Sequence, residues 1–356
     1  MHNTTRRWCS ILLIAGGLCT GVHAASPEVP PTPITISYSE ATDLFNLLDN
    51  LSNWLPGYTA PVYRTYWEQH VGLDDADRAA LTNYAEFRQR TSELANTNEI
   101  AAVDRLFAPD ATRDPDAFSS YFLGVLTFEA AAKAAIAAQS VDDQTMLRDY
   151  YARFMPRAAR LITVRSRFGT QERTIEAELA DPRVAQLAAE IRTFFRVPPP
   201  SVFEAKFVWW PDPDRTQAKV RGRTILLYSQ HEVDGGALSM DWVPILLHEL
   251  SHYLSASQPA ARKQELGAEF VRLCPSAADM RNPLNALEEP LAIYWGQYRF
   301  EHDVRGGELS PSSEWYIQPD ADRAAKAIAT AFPATRSPPT LDDPALLVAA
   351  ASACSQ

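Results

Sequence analysis

Two histidines, His248 and His252, stand four residues apart in the sequence HELSH, and this spacing constrains the fold more than any other feature of the chain. The surrounding segment predicts a helix, since Asp241 is a favourable N-cap and Pro259 forces the helix to end before it. Positions i and i+4 of a helix share one face, so both imidazoles can bind one zinc ion at about 2.1 Å. The carboxylate of Glu249 can then take a proton from a metal-bound water.

Uncharged side chains surround the motif, as is typical of a helix buried beside a metal site. They include Ile245, Leu246, Leu250, Ser251, Tyr253 and Leu254. The bare five-residue pattern also arises by chance, and the alternative interpretation is a pair of helical histidines that bind no metal. The apolar surroundings favour the metal site.

The remainder of the chain divides at the proline-rich segment 197–200 into two parts. Residues 39–197 are predicted to be a helical region, because segments 74–94, 118–139 and 144–168 have helical periodicity or strong helix formers. Residues 198–356 begin with two strand-like segments, 202–210 and 223–229, which predict a β-hairpin. The HExxH helix and further helices at 261–273 and 285–300 follow. The expected fold is α+β and predominantly helical, with a small sheet beside the HExxH helix.

The amino terminus is predicted to direct export. Two arginines, an apolar run and the small residues before Ala24 form a signal peptide, which is expected to be cut after Ala24. Residues 25–38 follow as a proline-rich leader. No later stretch is long and apolar enough to span a membrane, so a periplasmic or secreted protein is expected.

Two cysteines, Cys274 and Cys354, remain after removal of the signal peptide. In an oxidising compartment this even pair predicts a disulfide bond, and two buried free thiols are the alternative. The formal net charge of −11 repels phosphate groups, so no nucleic-acid partner is expected. The sequence indicates no oligomeric state.

The HExxH helix, with a strand-like segment before it, resembles the zincin metallopeptidases, in which such a helix packs under a small sheet. In that superfamily the last strand before the helix is a sheet edge that pairs with an extended peptide substrate, and residues 223–229 are the matching segment. An ordinary hairpin strand is the alternative. The metzincin pattern has a glycine and a third histidine where this chain has Ser255 and Gln258. The gluzincins, whose third ligand is a glutamate on a later helix, are the better match.

Four downstream glutamates are candidates for this third ligand: Glu265, Glu269, Glu288 and Glu289. On a helix the face of Glu289 continues through Ala292 and Gly296, whose small size allows close approach to the HExxH helix. The face of Glu288 carries bulky side chains instead. The sequence from Glu289 to Ala292 also resembles the ExxA pattern around the third ligand of several gluzincin families, a pattern that residues 265–268 share. Glu289 is therefore the predicted ligand, and the other three glutamates are the alternatives.

The resemblance covers residues 248–300 and departs from the thermolysin-like pattern at one position. That pattern has an aspartate four residues after the third ligand, which supports a zinc-bound histidine, whereas this chain has Ile293. Gluzincins also use a tyrosine or histidine to stabilise the oxyanion. Tyr298 is predicted for that role, and Tyr294, His302 and Tyr316 are the alternatives.

The motif and the resemblance together imply an exported zinc-dependent metallopeptidase that acts on a peptide or protein substrate. One alternative is a zinc hydrolase of a non-protein substrate. Another is a non-catalytic envelope binding protein with a residual zinc site.

Overall fold

The computed structural model describes residues 33–56, 58–92, 95, 116–124, 127–165, 168–197, 203–212, 217–221, 224–230, 241–279 and 283–355. The predicted signal peptide, residues 1–24, and the first part of the predicted leader lie outside these residues. Among the residues described, no helix combines the length and the apolar character needed to cross a membrane.

Helices make up most of the described chain, as the sequence predicted. Before the first long gap lie α1 (Glu40–Leu51), α2 (Val62–His70) and α3 (Asp75–Thr91). The region then continues with α4 (Ala117–Leu123), α5 (Phe128–Ala137), α6 (Val141–Arg165), α7 (Gly169–Leu179) and α8 (Pro182–Phe194). The predicted single helix over 118–139 is therefore two helices. It breaks at Gly124, and the hydroxyl of Thr127 caps the start of α5 by accepting a hydrogen bond from the backbone N–H of Ala130.

The carboxy-terminal helices include the predicted HExxH helix. They are α9 (Trp242–Ala256), α10 (Ala260–Leu273), α11 (Asn285–Ile293), α12 (Pro319–Ala331) and α13 (Pro344–Ala351). The predicted helix over 285–300 changes character part of the way along. It is α-helical to Ile293, π-helical over Tyr294–Arg299, and π-helical again over Glu301–Arg305. Helical backbone therefore continues past the predicted third ligand as far as Arg305.

One four-stranded sheet contains β1 (Ile34–Tyr38), β2 (Phe203–Trp209), β3 (Gln217–Arg221) and β4 (Thr224–Ser229). The strand order is β1-β2-β4-β3, with β1, β2 and β4 parallel and β3 antiparallel to β4. The predicted hairpin between 202–210 and 223–229 is wrong, because those segments are parallel neighbours. The hairpin partner of β4 is β3, whose short and largely polar sequence QAKVR gives only a weak strand signal.

The strand before the HExxH helix is not at the edge of the sheet, contrary to the expectation for residues 223–229. β4 lies between β2 and β3, so β3 is the edge strand on that side. The other edge is β1, which comes from residues assigned to the leader. Ile34 and Ile36 are buried there, and their alternation with polar residues explains why this segment forms a strand.

Helix α9 lies between the sheet and the segment that follows α11. Tyr253 packs edge-on against Phe203 of β2, with ring centroids 4.1 Å apart, and Trp242 packs against Phe207 at 5.7 Å. At the carboxy terminus Cys274 and Cys354 form a disulfide bond with a Cα–Cα distance of 5.5 Å, which confirms the predicted pairing. The bond joins the end of α10 to the segment after α13.

Candidate metal centre

Helix α9 places the two histidines of the motif on one face, as the spacing predicts. The Nε2 atoms of His248 and His252 lie 3.1 Å apart, and His248 is only 5% exposed. The side chain of Asp241 does not cap the helix but forms an ion pair with Arg305. This ion pair joins the start of α9 to the end of the second π-helical stretch, Glu301–Arg305. The π-helical stretches therefore contact α9 both at its first residues and beside its histidines.

Glu289 faces both histidines from α11. Its Oε1 lies 3.4 Å from Nε2 of His248, and its Oε2 lies 3.2 Å from Nε2 of His252. One ligand atom from each of the three residues falls within 4.8 Å of the others. The structure thus brings together the three predicted ligands in a group that could hold a metal ion.

The close approach of the two helices depends on Gly296, as the helical face of Glu289 predicted. A Cβ atom at this position would lie 2.7 Å from Cβ of His248, 2.7 Å from the carbonyl oxygen of Pro244 and 2.8 Å from the backbone nitrogen of His248. Ala292, on the same face, is fully buried. Only a residue without a side chain fits where the π-helical segment crosses α9.

The charge of Glu289 governs the protonation of this group. Burial opposes a charge on His252, but the hydrogen bond and negative charge of Glu289 outweigh burial and raise its pKa to about 9. Burial alone would raise the pKa of Glu289, yet its hydrogen bonds to the two histidines hold that pKa well below the usual range. Two imidazoles and a carboxylate are a donor set that suits zinc, so the residues fit the expected metal.

The other glutamates considered for the third ligand lie outside this group. Glu288 accepts a hydrogen bond of 2.8 Å from the hydroxyl of Ser255, which links α11 to α9 beside the site. Glu265 forms an ion pair with Arg262 and its side chain is 70% exposed. Glu269 is not among the clustered residues of the described chain either.

Of the four candidates for stabilising the oxyanion, Tyr316 is the one in contact with the ligand group. Its ring stacks on His248 with centroids 5.5 Å apart. Burial, followed by the charge and hydrogen bond of Glu289, raises its pKa. The carboxylate of Asp322 accepts hydrogen bonds from the backbone N–H groups of Trp315 and Tyr316, at 2.8 and 3.1 Å, and so fixes this segment.

Tyr298, the residue predicted for this role, has its contacts elsewhere. Its ring stacks on Trp315, and its hydroxyl accepts a hydrogen bond of 3.1 Å from the backbone of Ala334. Its catalytic role stays a prediction. The hydroxyl of Tyr294 donates to the carbonyl of Phe332, and His302 pairs with Asp303.

One further residue, Gln297, contacts the site and was missed in the sequence. Its Nε2 lies 3.5 Å from Nδ1 of His248. Gln297 stands eight residues after Glu289 in the sequence. In a regular α-helix its side chain would point about 80° away from that of Glu289, so no sequence pattern predicted it at the site. The π-helical segment that changes this direction has no recognisable sequence pattern.

A cavity of about 430 Å³ adjoins Glu289. The disulfide Cys274–Cys354 forms part of its wall, together with Pro290, Ala321 and Arg323. His248, His252 and Tyr316 do not line this cavity.

Comparisons with protein-family models, with curated proteins and with solved structures gave no match to this chain. The functional conclusion therefore depends on the arrangement of the residues themselves.

Proposed function

We propose that the chain is an exported zinc metallopeptidase whose metal is held by His248, His252 and Glu289. The observation that carries the proposal is the convergence of these three side chains from two helices, with their ligand atoms within 4.8 Å. The HExxH motif and the small residues on the face of Glu289 predict the same three residues from sequence alone. Chance placement of a histidine pair does not account for a third ligand on the predicted residue.

Glu249 is the proposed general base. It follows His248 on α9, so it points about 100° around the helix from that ligand and stays outside the clustered group. Its negative charge contributes, after that of Glu289, to the raised pKa of His252 and of Tyr316, so the carboxylate lies near both side chains. A bound zinc ion would polarise the substrate carbonyl and lower the pKa of a water to roughly 7. Glu249 would take the proton of that water and pass it to the leaving amine.

Tyr316 is the proposed donor to the oxyanion. Its hydroxyl is hydrogen-bonded with Glu289, and its stacking on His248 keeps it beside the ligands. Because its pKa is raised, the phenol stays protonated at neutral pH and can donate a hydrogen bond. Removal of one such donor typically lowers kcat by a factor of roughly 10² to 10³.

A peptide is the substrate that the sheet favours. β3 is the edge strand, and in the described part of the chain no strand pairs with its outer side. An extended peptide could add to this edge through backbone hydrogen bonds, which gives affinity without demanding a particular sequence. β3 also packs beside α9, the helix that carries His248 and His252.

The test uses the mature chain, residues 25–356, purified and assayed for bound zinc and for cleavage of a mixed peptide library. We expect one zinc per chain, loss of zinc in His248→Ala, and loss of cleavage with zinc retained in Glu249→Gln. Glu265→Gln is the matched control, because Glu265 is exposed and outside the ligand group. Absence of zinc together with an unchanged His248→Ala variant would refute the proposal.

Two other outcomes separate the alternatives. Full zinc occupancy with no cleavage of any peptide, but hydrolysis of another substrate that depends on Glu249, would indicate a non-protein substrate. Full occupancy with four protein ligands and no hydrolysis would indicate a structural site, since a catalytic zinc keeps one position open.

A further inference from the structure

His248 requires a hydrogen-bond acceptor on the side of its ring that faces away from the ligand group. Its Nε2 points towards Glu289 and towards Nε2 of His252, so Nε2 is the atom that would bind metal. A neutral imidazole that binds through Nε2 carries its proton on Nδ1, and such an N–H is normally held by an outer acceptor. Because His248 is 5% exposed, bulk water does not readily supply that acceptor.

The side-chain amide of Gln297 lies at this position. Its Nε2 is 3.5 Å from Nδ1 of His248, and its Oε1 is buried with no hydrogen-bond partner among the described residues. Rotation of the amide by 180° exchanges the two atoms without moving the rest of the side chain. The rotation would direct the unsatisfied oxygen at Nδ1–H and so satisfy two buried polar groups together.

We propose that Gln297 is a positioning residue that fixes the ring orientation and the tautomer with which His248 binds the metal. The inference rests on the metal site of the proposed function. An amide is both donor and acceptor, so Gln297 can donate to Nδ1 when the site is metal-free and accept from Nδ1–H when metal is bound. A carboxylate would serve only the second state, because it accepts and does not donate.

The π-helical segment explains how a residue eight positions after Glu289 reaches the same site. In a regular α-helix with 3.6 residues per turn, position i+8 lies about 80° from position i. The wider π turn, with its i→i+5 hydrogen bonds, advances less per residue and brings Gln297 back towards the face of Glu289. Gly296, which touches the backbone and Cβ of His248, holds the neighbouring residue against the ring.

Ile293, where the thermolysin-like pattern has its supporting aspartate, cannot accept a hydrogen bond from His248. Ile293, four residues after Glu289, is fully buried and packs against Ala321 and Ala325 of α12. Its side chain has no polar atom. Gln297, about one π-helical turn later, can supply the acceptor instead.

The test compares zinc affinity in the full mature chain, measured by competition with a chromophoric chelator, for wild type, Gln297→Leu and Gln297→Glu. Gln258→Leu is the matched control. Gln258 is also partly buried, and its amide donates to the carbonyls of Phe195 and Leu254 rather than to a ligand. Circular dichroism verifies that each variant is folded, and the visible spectrum of the cobalt(II)-substituted protein reports the ligand geometry.

We expect Gln297→Leu to lower zinc affinity by a factor of roughly 10 to 100, the usual effect of losing an outer hydrogen bond. It should also alter the cobalt spectrum, whereas Gln258→Leu changes neither. Gln297→Glu restores an acceptor and should keep wild-type affinity or exceed it. Wild-type affinity and spectrum in folded Gln297→Leu would overturn the inference and leave the proposed function standing. A wild-type chain that binds no zinc would overturn both.

Discussion

Replacement of Gly296 by alanine tests the helix contact on which the metal site depends. The added Cβ would lie 2.7 Å from two atoms and 2.8 Å from a third, two of them backbone atoms in α9. Reaching an ordinary contact of 3.4 Å requires a separation of the two helices by about 0.7 Å. Metal–ligand distances tolerate a change of only about 0.2 Å. Glu289 therefore cannot keep its place relative to His248 and His252.

The size of the effect on stability follows from two opposing contributions. Overpacking of a tight contact costs roughly 1–3 kcal/mol, whereas alanine in place of glycine within a helix stabilises by roughly 0.5–1 kcal/mol. The cost of overpacking is the larger of the two contributions, so Gly296→Ala should lower the free energy of unfolding by about 1 kcal/mol. It should also weaken zinc binding at least tenfold, which is about 1.4 kcal/mol.

Gly267→Ala is the matched control for this prediction. Gly267 lies within α10, and its added Cβ would be 3.6 Å from Leu284, an ordinary contact. Only the stabilisation from replacing glycine by alanine in a helix then applies. Gly267→Ala should therefore be slightly more stable than wild type and should bind zinc with wild-type affinity. Urea unfolding and chelator competition measure both quantities. A Gly296→Ala variant with wild-type zinc affinity would show that the close approach of the helices does not hold the ligands.

Three further predictions concern the chemistry of the site and the carboxy terminus. Zinc binding at about pH 7.5 should release close to one proton, because the pKa of His252 is raised to about 9 in the metal-free protein and a ligating histidine must be neutral. Calorimetry in buffers of different ionisation enthalpy measures this proton release, and a value near zero would contradict the prediction. Since the pKa of folded His252 lies above that of an unfolded histidine, protonated His252 stabilises the fold without metal below about pH 6.5. That stabilisation is lost as the pH rises through 9. Tyr316→Phe should lower kcat by a factor of roughly 10² to 10³ with zinc affinity unchanged, and the same loss in Tyr298→Phe instead would assign the role to the residue predicted from sequence. Cys274→Ser should lower the free energy of unfolding by about 4 kcal/mol for a loop of this length while zinc content stays the same, and an unchanged unfolding midpoint would contradict it.

The sequence predicted the parts of the site that obey helical periodicity. The spacing of His248 and His252, and the small residues on the face of Glu289, are local patterns. Helix geometry alone determines which of these residues share a face, so folding does not change them. The disulfide also followed from composition, because only two cysteines remain after the predicted cleavage. These elements required no knowledge of how distant segments pair.

The features that the sequence did not predict depend on contacts between distant segments. β1 is five residues long and pairs with a strand almost 170 residues later, so nothing in its neighbourhood indicates a sheet. β3 has a largely polar sequence, and its absence from the prediction produced the wrong hairpin and the wrong edge strand. Tyr316 was one of several candidates for the oxyanion role, and its contact with His248 depends on a segment that Asp322 anchors. Gln297 reaches His248 through the π-helical segment, which has no local sequence pattern.

X-ray absorption at the zinc edge of the purified mature chain tests the proposed site most directly. We predict one zinc per chain, bound by two imidazole nitrogens and by carboxylate and water oxygens at about 2.0–2.2 Å. In Glu289→Gln the carboxylate contribution should disappear and the occupancy should fall. A chain without zinc, or a zinc shell that is unchanged in Glu289→Gln, would contradict the assignment of His248, His252 and Glu289 as the metal centre.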